Sequence, residues 1–136
     1  MQQILEGVGQ IALPVADPDR SQSFYGETLG LPLLFRFGQL VFFSTGNLRL
    51  MLSGGEQREI PRTNNCVYFR VADIDRAFAD LKARGVVFED EPHLIARMPD
   101  HELWMVFFRD PDDHLLALMQ EAPKGYVPSQ ERTETV

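Results

Sequence analysis

The chain has 136 residues, 44% of them apolar, with 13 lysines and arginines against 20 aspartates and glutamates and a formal charge of −7. Such a chain can bury a core as one globular domain, and an acidic chain without a basic run repels phosphate backbones, so no nucleic-acid partner is expected. The lone Cys66 excludes an intramolecular disulfide and a thiolate zinc cluster, and no apolar run approaches the ~20 residues of a membrane span.

The opening residues, MQQILEGVG, show no positive patch leading into an apolar run. No secretory signal is expected there, and a reducing, cytoplasmic setting fits. Ile11, Leu13 and Val15 alternate with Gln10, Ala12 and Pro14, which is strand period. Asp17 offers a carboxylate to free backbone N–H groups, and Pro18 suits a first helical position that needs no donor. A helix is predicted over 18–28, with Gly30 as its left-handed exit. Strands follow at 31–37, 39–45 and 48–52, separated by Gly38 and by Gly46-Asn47.

The hexapeptide VADPDR at 15–20 recurs as VADIDR at 71–76, and its surroundings recur with it. Val67, Phe69 and Val71 alternate with Cys66, Tyr68 and Arg70; Asp73 caps a helix over 74–84 that presents Phe78 and Leu81 on one face and stops at Gly85. Strands are predicted at 86–97, broken near Pro92, then at 101–109 and 114–120. The order is βαβββ twice. Module one spans about 8–53, a linker 54–64, module two about 65–121, and a tail 122–136 is expected to be loose or to lie on a partner. Neither half can bury both faces of its own sheet. The expected α+β fold is therefore one curved, mostly antiparallel eight-stranded sheet with the helices on its convex face.

The stretches IALPVADPDRSQSFYGETLGLPL, VYFRVADIDRAFADLKARGVVF and FFRDPDDHLLALMQE resemble the vicinal oxygen chelate superfamily over about residues 8–121. That superfamily contains glyoxalase I, extradiol dioxygenases, fosfomycin-resistance enzymes and bleomycin-resistance proteins. The resemblance implies the fold and leaves the reaction open, so function must come from the site. One departure is visible: the family turn Asp-Pro-Asp-Gly reads Asp110, Pro111, Asp112, Asp113 here. Asp tolerates positive φ better than most residues, so the fold is not threatened.

Strand parity places Ile11, Leu13, Val15, Val67, Phe69 and Val71 under the helices and Gln10, Ala12, Pro14, Cys66, Tyr68 and Arg70 on the concave face. Leu48, Leu50, Leu52, Leu116 and Leu118 go with the first set; Arg49, Met51, Leu115, Ala117 and Met119 go with the second. Metal-dependent members of the family place one ligand on each of four strands, usually His or Gln at two positions and Glu at two. The resemblance maps these positions onto Gln10, Cys66, Ala117 and either Arg49 or Met51. An arginine cannot give up its charge to become a ligand, and the remaining groups make a poor set for a divalent ion. The family metal site is therefore expected to be absent, and no cofactor is predicted.

Other residues admit two readings. His93, His101 and Glu102 share one hairpin and offer an atypical metal site or, more simply, polar strand ends; His114 reads as a turn-stabilising residue. Cys66 is a nucleophile only if a nearby charge lowers its pKa, and otherwise fills space. Arg49 and Arg70 either grip an anion in pairs of hydrogen bonds or pair with acidic neighbours. The strand around Trp104 and the run LVFF at 40–43 are apolar on both faces, which calls for a ligand, the other half or a second subunit and suggests a homodimer.

The expected function is a metal-free small-molecule-binding protein of the glyoxalase and bleomycin-resistance type. Its candidate ligand contacts are Gln10, Phe43, Arg49, Met51 and Cys66 together with Tyr68, Arg70, Trp104 and Ala117. Bleomycin-resistance proteins take cationic ligands, whereas the arginines suit an anionic or carbonyl-rich one. The alternative is a metal-dependent lyase, isomerase or dioxygenase of the glyoxalase I type with an atypical site. A metal-free isomerase or hydrolase using Glu102 or His93 as base is a weaker variant, and no catalytic residue is assigned.

Overall fold

The computed structural model describes residues 3–55, 60 and 63–126. Its first strand, β1 (Gln10–Pro14), stops where the Asp17 carboxylate takes hydrogen bonds from the N–H groups of Asp19 and Arg20, at 3.1 and 3.2 Å. Those donors have no partner within a helix, so the cap starts α1 (Pro18–Ser23) with Pro18 in the first turn. The chain does not stay α-helical to residue 28 as expected. Over Phe24–Thr28 it widens into a π turn, closed by the Leu29 N–H on the Phe24 carbonyl at 2.9 Å. This turn seats Tyr25 wholly inside, against the Phe43 ring. Gly30 then exits at φ 81°, as the sequence requires.

Strands β2 (Leu33–Phe37), β3 (Leu40–Ser44) and β4 (Arg49–Ser53) complete the first sheet in the order β1-β4-β3-β2. The β1–β4 pair is parallel and the other two pairs are antiparallel. Each strand ends within two residues of its predicted bounds. Gly54, assigned to the linker, is held by its N–H on the Gln39 carbonyl at 2.9 Å, and a Cβ there would run into the Pro18 ring. Much of the remaining linker, like the tail beyond Tyr126, lies outside the described residues.

The second module repeats the plan. After β5 (Cys66–Arg70), Asp73 caps α2 (Ile74–Ala83), accepting from the Arg76 N–H at 3.1 Å. The first turn is also held from the sheet: buried Gln120 accepts the Ile74 N–H at 2.8 Å. Ile74, Phe78 and Leu81 are the buried helix residues, worth roughly 1.5–3 kcal/mol each as removed apolar area. The sheet adds β6 (His93–Arg97), β7 (Glu102–Arg109) and β8 (Leu115–Ala122), in the order β5-β8-β7-β6 with β5–β8 parallel.

The expected strand at 86–97 is only partly formed. Phe88 bridges to Phe108, but the next stretch is bonded differently, with the Asp90 carboxylate taking the Phe107 N–H at 3.0 Å, and pairing resumes only after Pro92, which has no N–H to give. Strand β8 runs two residues further than predicted because Ala122 pairs with Glu102. Asp113 has φ 69°, as the altered turn demands. All eight expected strands are thus present, four in each sheet. The chain divides into the units Met1–Arg62 and Thr63–Val136, and each is described by itself below.

Candidate functional site

In each sheet one face carries the helix, and the site residues concern the other. Register fixes the first sheet. Gln10 sits opposite Arg49, which sits opposite Ser44; one row on, Ala12, Met51, Phe42 and Phe35 line up. The Gln10 amide donates to the Met51 sulfur at 3.6 Å. The Arg49 guanidinium lies 5.8 Å from the centre of the Phe42 ring, and Phe35 stacks on that ring at 4.4 Å with 24° between planes. No Asp or Glu occurs in any of the four strands. The strands carry two arginines: Arg36, which turns to the helix side and bonds Asp19 at 2.6 Å, and Arg49, for which no carboxylate lies within ion-pair distance among the described residues.

The second sheet brings together Cys66, Leu115 and Arg109 in one row, Tyr68, Ala117 and Phe107 in the next, and Arg70, Met119, Met105 and His93 in the third. The Cys66 thiol donates to the Val67 carbonyl at 3.8 Å, and Tyr68, in the next row, stands edge-on to Phe107 at 6.3 Å; the His93 ring lies 6.1 Å from the same phenyl ring. Arg109 is neutralised by Glu89 at 2.6 Å. Burial pushes the Cys66 thiol above its ordinary pKa, and neither Tyr68 nor Arg109 offsets it. A raised pKa leaves less thiolate at any given pH, which opposes the nucleophile reading. Cys66 is expected to react with iodoacetamide more slowly than a free small thiol at pH 8, with the rate rising only at higher pH; a rate equal to or above the free thiol's would contradict this.

The predicted residues therefore fall into two groups. Gln10, Arg49 and Met51 share the helix-free face of the first sheet, and Cys66, Tyr68, Arg70 and Ala117 that of the second. Phe43 and Trp104 are placed elsewhere. Phe43 pairs with Leu50 on the helix side, is wholly buried, and borders a cleft of about 340 Å³ with Gly26 and Leu33. Trp104 pairs with Gln120, whose side chain holds α2, and meets the Tyr126 ring edge-on. The residues that sequence reading missed are their neighbours, Phe42 and Phe107. No parity signal singled them out, because the run around each is apolar on both faces.

The hairpin histidines do not converge. His93 sits on the Glu91 carbonyl at 2.9 Å and His101 on the Asp100 carboxylate at 2.8 Å, while Glu102 is buried and takes the Arg97 guanidinium at 3.1 Å. Among the described residues, no three His, Cys, Asp or Glu side chains gather to hold a metal ion. The family positions offer an amide and a guanidinium or thioether in the first unit, and in the second a thiol, bonded to the Val67 carbonyl, and the methyl group of buried Ala117. That donor set does not fit a divalent ion.

Comparison with known proteins agrees with this architecture. The uncharacterized protein YraH of Bacillus subtilis (strain 168) is 29% identical over 126 residues, covering 80% of this chain and 94% of that protein. Glutathione transferase FosA of Serratia marcescens is 27% identical over 117 residues, covering 85% and 81%. The crystal structure of lactoylglutathione lyase from Agrobacterium tumefaciens shares the fold with a TM-score of 0.67 at 23% identity, over 91% of this chain and 100% of that one. The family model described as Glyoxalase/Bleomycin resistance protein/Dioxygenase superfamily matches residues 7–118. With everything from β1 to the first half of β8 inside that span, the chain belongs to the glyoxalase/bleomycin resistance protein/dioxygenase superfamily.

Proposed function

We propose that this chain is a metal-free small-molecule-binding protein, holding its ligand against the sheet faces turned away from the helices. The carrying observation is the donor set: Gln10, Arg49 or Met51, Cys66 and Ala117 stand where the metal-dependent pattern asks for His, Gln and Glu. The same faces keep phenyl rings, thioethers and a few polar anchors, which is the composition of a ligand pocket. Glutathione transferase FosA, as a named enzyme at 27% identity, supports the enzyme alternative, but a metal-dependent form of it would need a ligand set that is not found among the described residues.

Thermal unfolding of chelator-treated protein against a panel of small aromatic acids, amines and neutral compounds tests the reading. A ligand at 100 times its Kd should add about 2.7 kcal/mol, equally with and without EDTA. Stabilisation that appears only after a divalent metal is added back would overturn it.

A homodimer and a cytoplasmic setting belong to the same proposal. Edge strand β2 exposes Leu33, Leu34 and Phe37, the last at 76%, and an apolar edge strand is a pairing surface. No helix among the described residues is long and apolar enough to cross a membrane. Sedimentation equilibrium should give twice the chain mass, and Phe37→Asp should lower it; a wild-type monomer would remove the dimer from the proposal.

A further inference from the structure

Resting on the metal-free reading, we infer that the helix-free face of the first sheet recognises a flat, apolar carboxylate, with Arg49 gripping the carboxylate oxygens and the Phe42–Phe35 pair receiving the body of the molecule. Three observations converge. Arg49 is an exposed guanidinium with no carboxylate within ion-pair distance among the described residues, in a chain with seven more acidic than basic side chains. The four strands around it contain no acidic residue, so nothing on them competes with an incoming anion. Beside it stand two stacked phenyl rings, one of them, Phe35, still 47% exposed.

The chemistry follows from the groups. A guanidinium presents parallel N–H donors that match two coplanar oxygens, and it carries its charge at any working pH. The Gln10 amide, directly opposite Arg49 in the register, now donates to a thioether sulfur, a weak acceptor that a carboxylate oxygen readily replaces. The net charge of −7 does not forbid an anion here. Screening removes distant charge beyond a Debye length of about 8 Å at physiological salt, and Asp19, the carboxylate that pairs with an arginine of these strands, is on the helix side and engaged by Arg36.

The test uses calorimetric titration of the full chain, in EDTA, with 2-naphthoate and its uncharged counterpart 2-naphthamide. The expected result is binding of the naphthoate about tenfold or more tightly than the amide, as for a charge-assisted pair of hydrogen bonds. Arg49→Gln should remove that ratio and Arg49→Lys should keep part of it. Arg76→Gln, exposed on α2, should leave it unchanged. Melting temperatures establish that each variant is folded; Arg49 is exposed, so Arg49→Lys and Arg49→Gln should melt with the wild type. Equal affinity for acid and amide, no binding of the acid, or a ratio that survives in Arg49→Gln overturns the inference. Naphthoate binding that needs an added divalent ion instead overturns the metal-free reading beneath it, so the two failures are told apart.

Discussion

Phe43→Ala is expected to destabilise the protein by about 3–5 kcal/mol, the usual cost of deleting a buried phenyl ring. The ring is wholly buried on the helix side of the first sheet, in contact with the buried Tyr25 ring at 6.3 Å between centroids. Collapse around the gap is limited. Tyr25 is fixed by the π turn, and Leu50, opposite Phe43 in the register, is itself buried and committed to the core. The cavity term therefore adds to the lost transfer energy. Urea unfolding monitored by circular dichroism reads the change as a fall in the midpoint at constant slope. Exposed Arg49, one strand away and on the opposite face, supplies the contrast: Arg49→Gln should move the midpoint little, by within about 0.5 kcal/mol. A Phe43→Ala protein as stable as the wild type would mean that the two faces of β3 have been exchanged.

Asp110→Ala should cost about 3 kcal/mol. Its carboxylate lies in the turn between β7 and β8, is buried, and accepts the N–H groups of Asp112 at 2.9 Å and His114 at 2.8 Å. Bonds to a charged acceptor contribute roughly 1.5–3 kcal/mol each, and the gain from no longer burying a charge offsets part of their loss. The turn also carries the positive φ of Asp113, which the Asp110 carbonyl helps to hold through the Asp113 N–H at 3.0 Å. Asp110→Asn keeps one acceptor and should lose less than Asp110→Ala. If both substitutions were neutral in urea unfolding, the turn would owe nothing to this side chain.

Much of the fold was legible because its determinants are local. The Asp17-Pro18 and Asp73 caps, the left-handed exit at Gly30 and the Asp110–Asp113 turn are each set by a few adjacent residues, and each stands where the sequence put it. Strand parity was legible in β4, where buried Leu50 and Leu52 alternate with Arg49, Met51 and Ser53. What the sequence could not show depends on partners distant along the chain. The π turn answers to Phe43, and the late start of β6 answers to the Asp90 bond with Phe107, seventeen residues away. Runs that are apolar on both faces carry no parity signal at all. That is why the sequence does not separate Phe43 and Trp104, on the helix sides, from Phe42 and Phe107, on the helix-free faces.

The central claim is that these faces have no ligand set for a metal ion, and calorimetric titration of chelator-stripped protein with zinc, nickel, manganese and ferrous iron meets it most directly. The account predicts no stoichiometric site for any of the four. One ion bound per chain, and lost in both Gln10→Ala and Cys66→Ala, would contradict it.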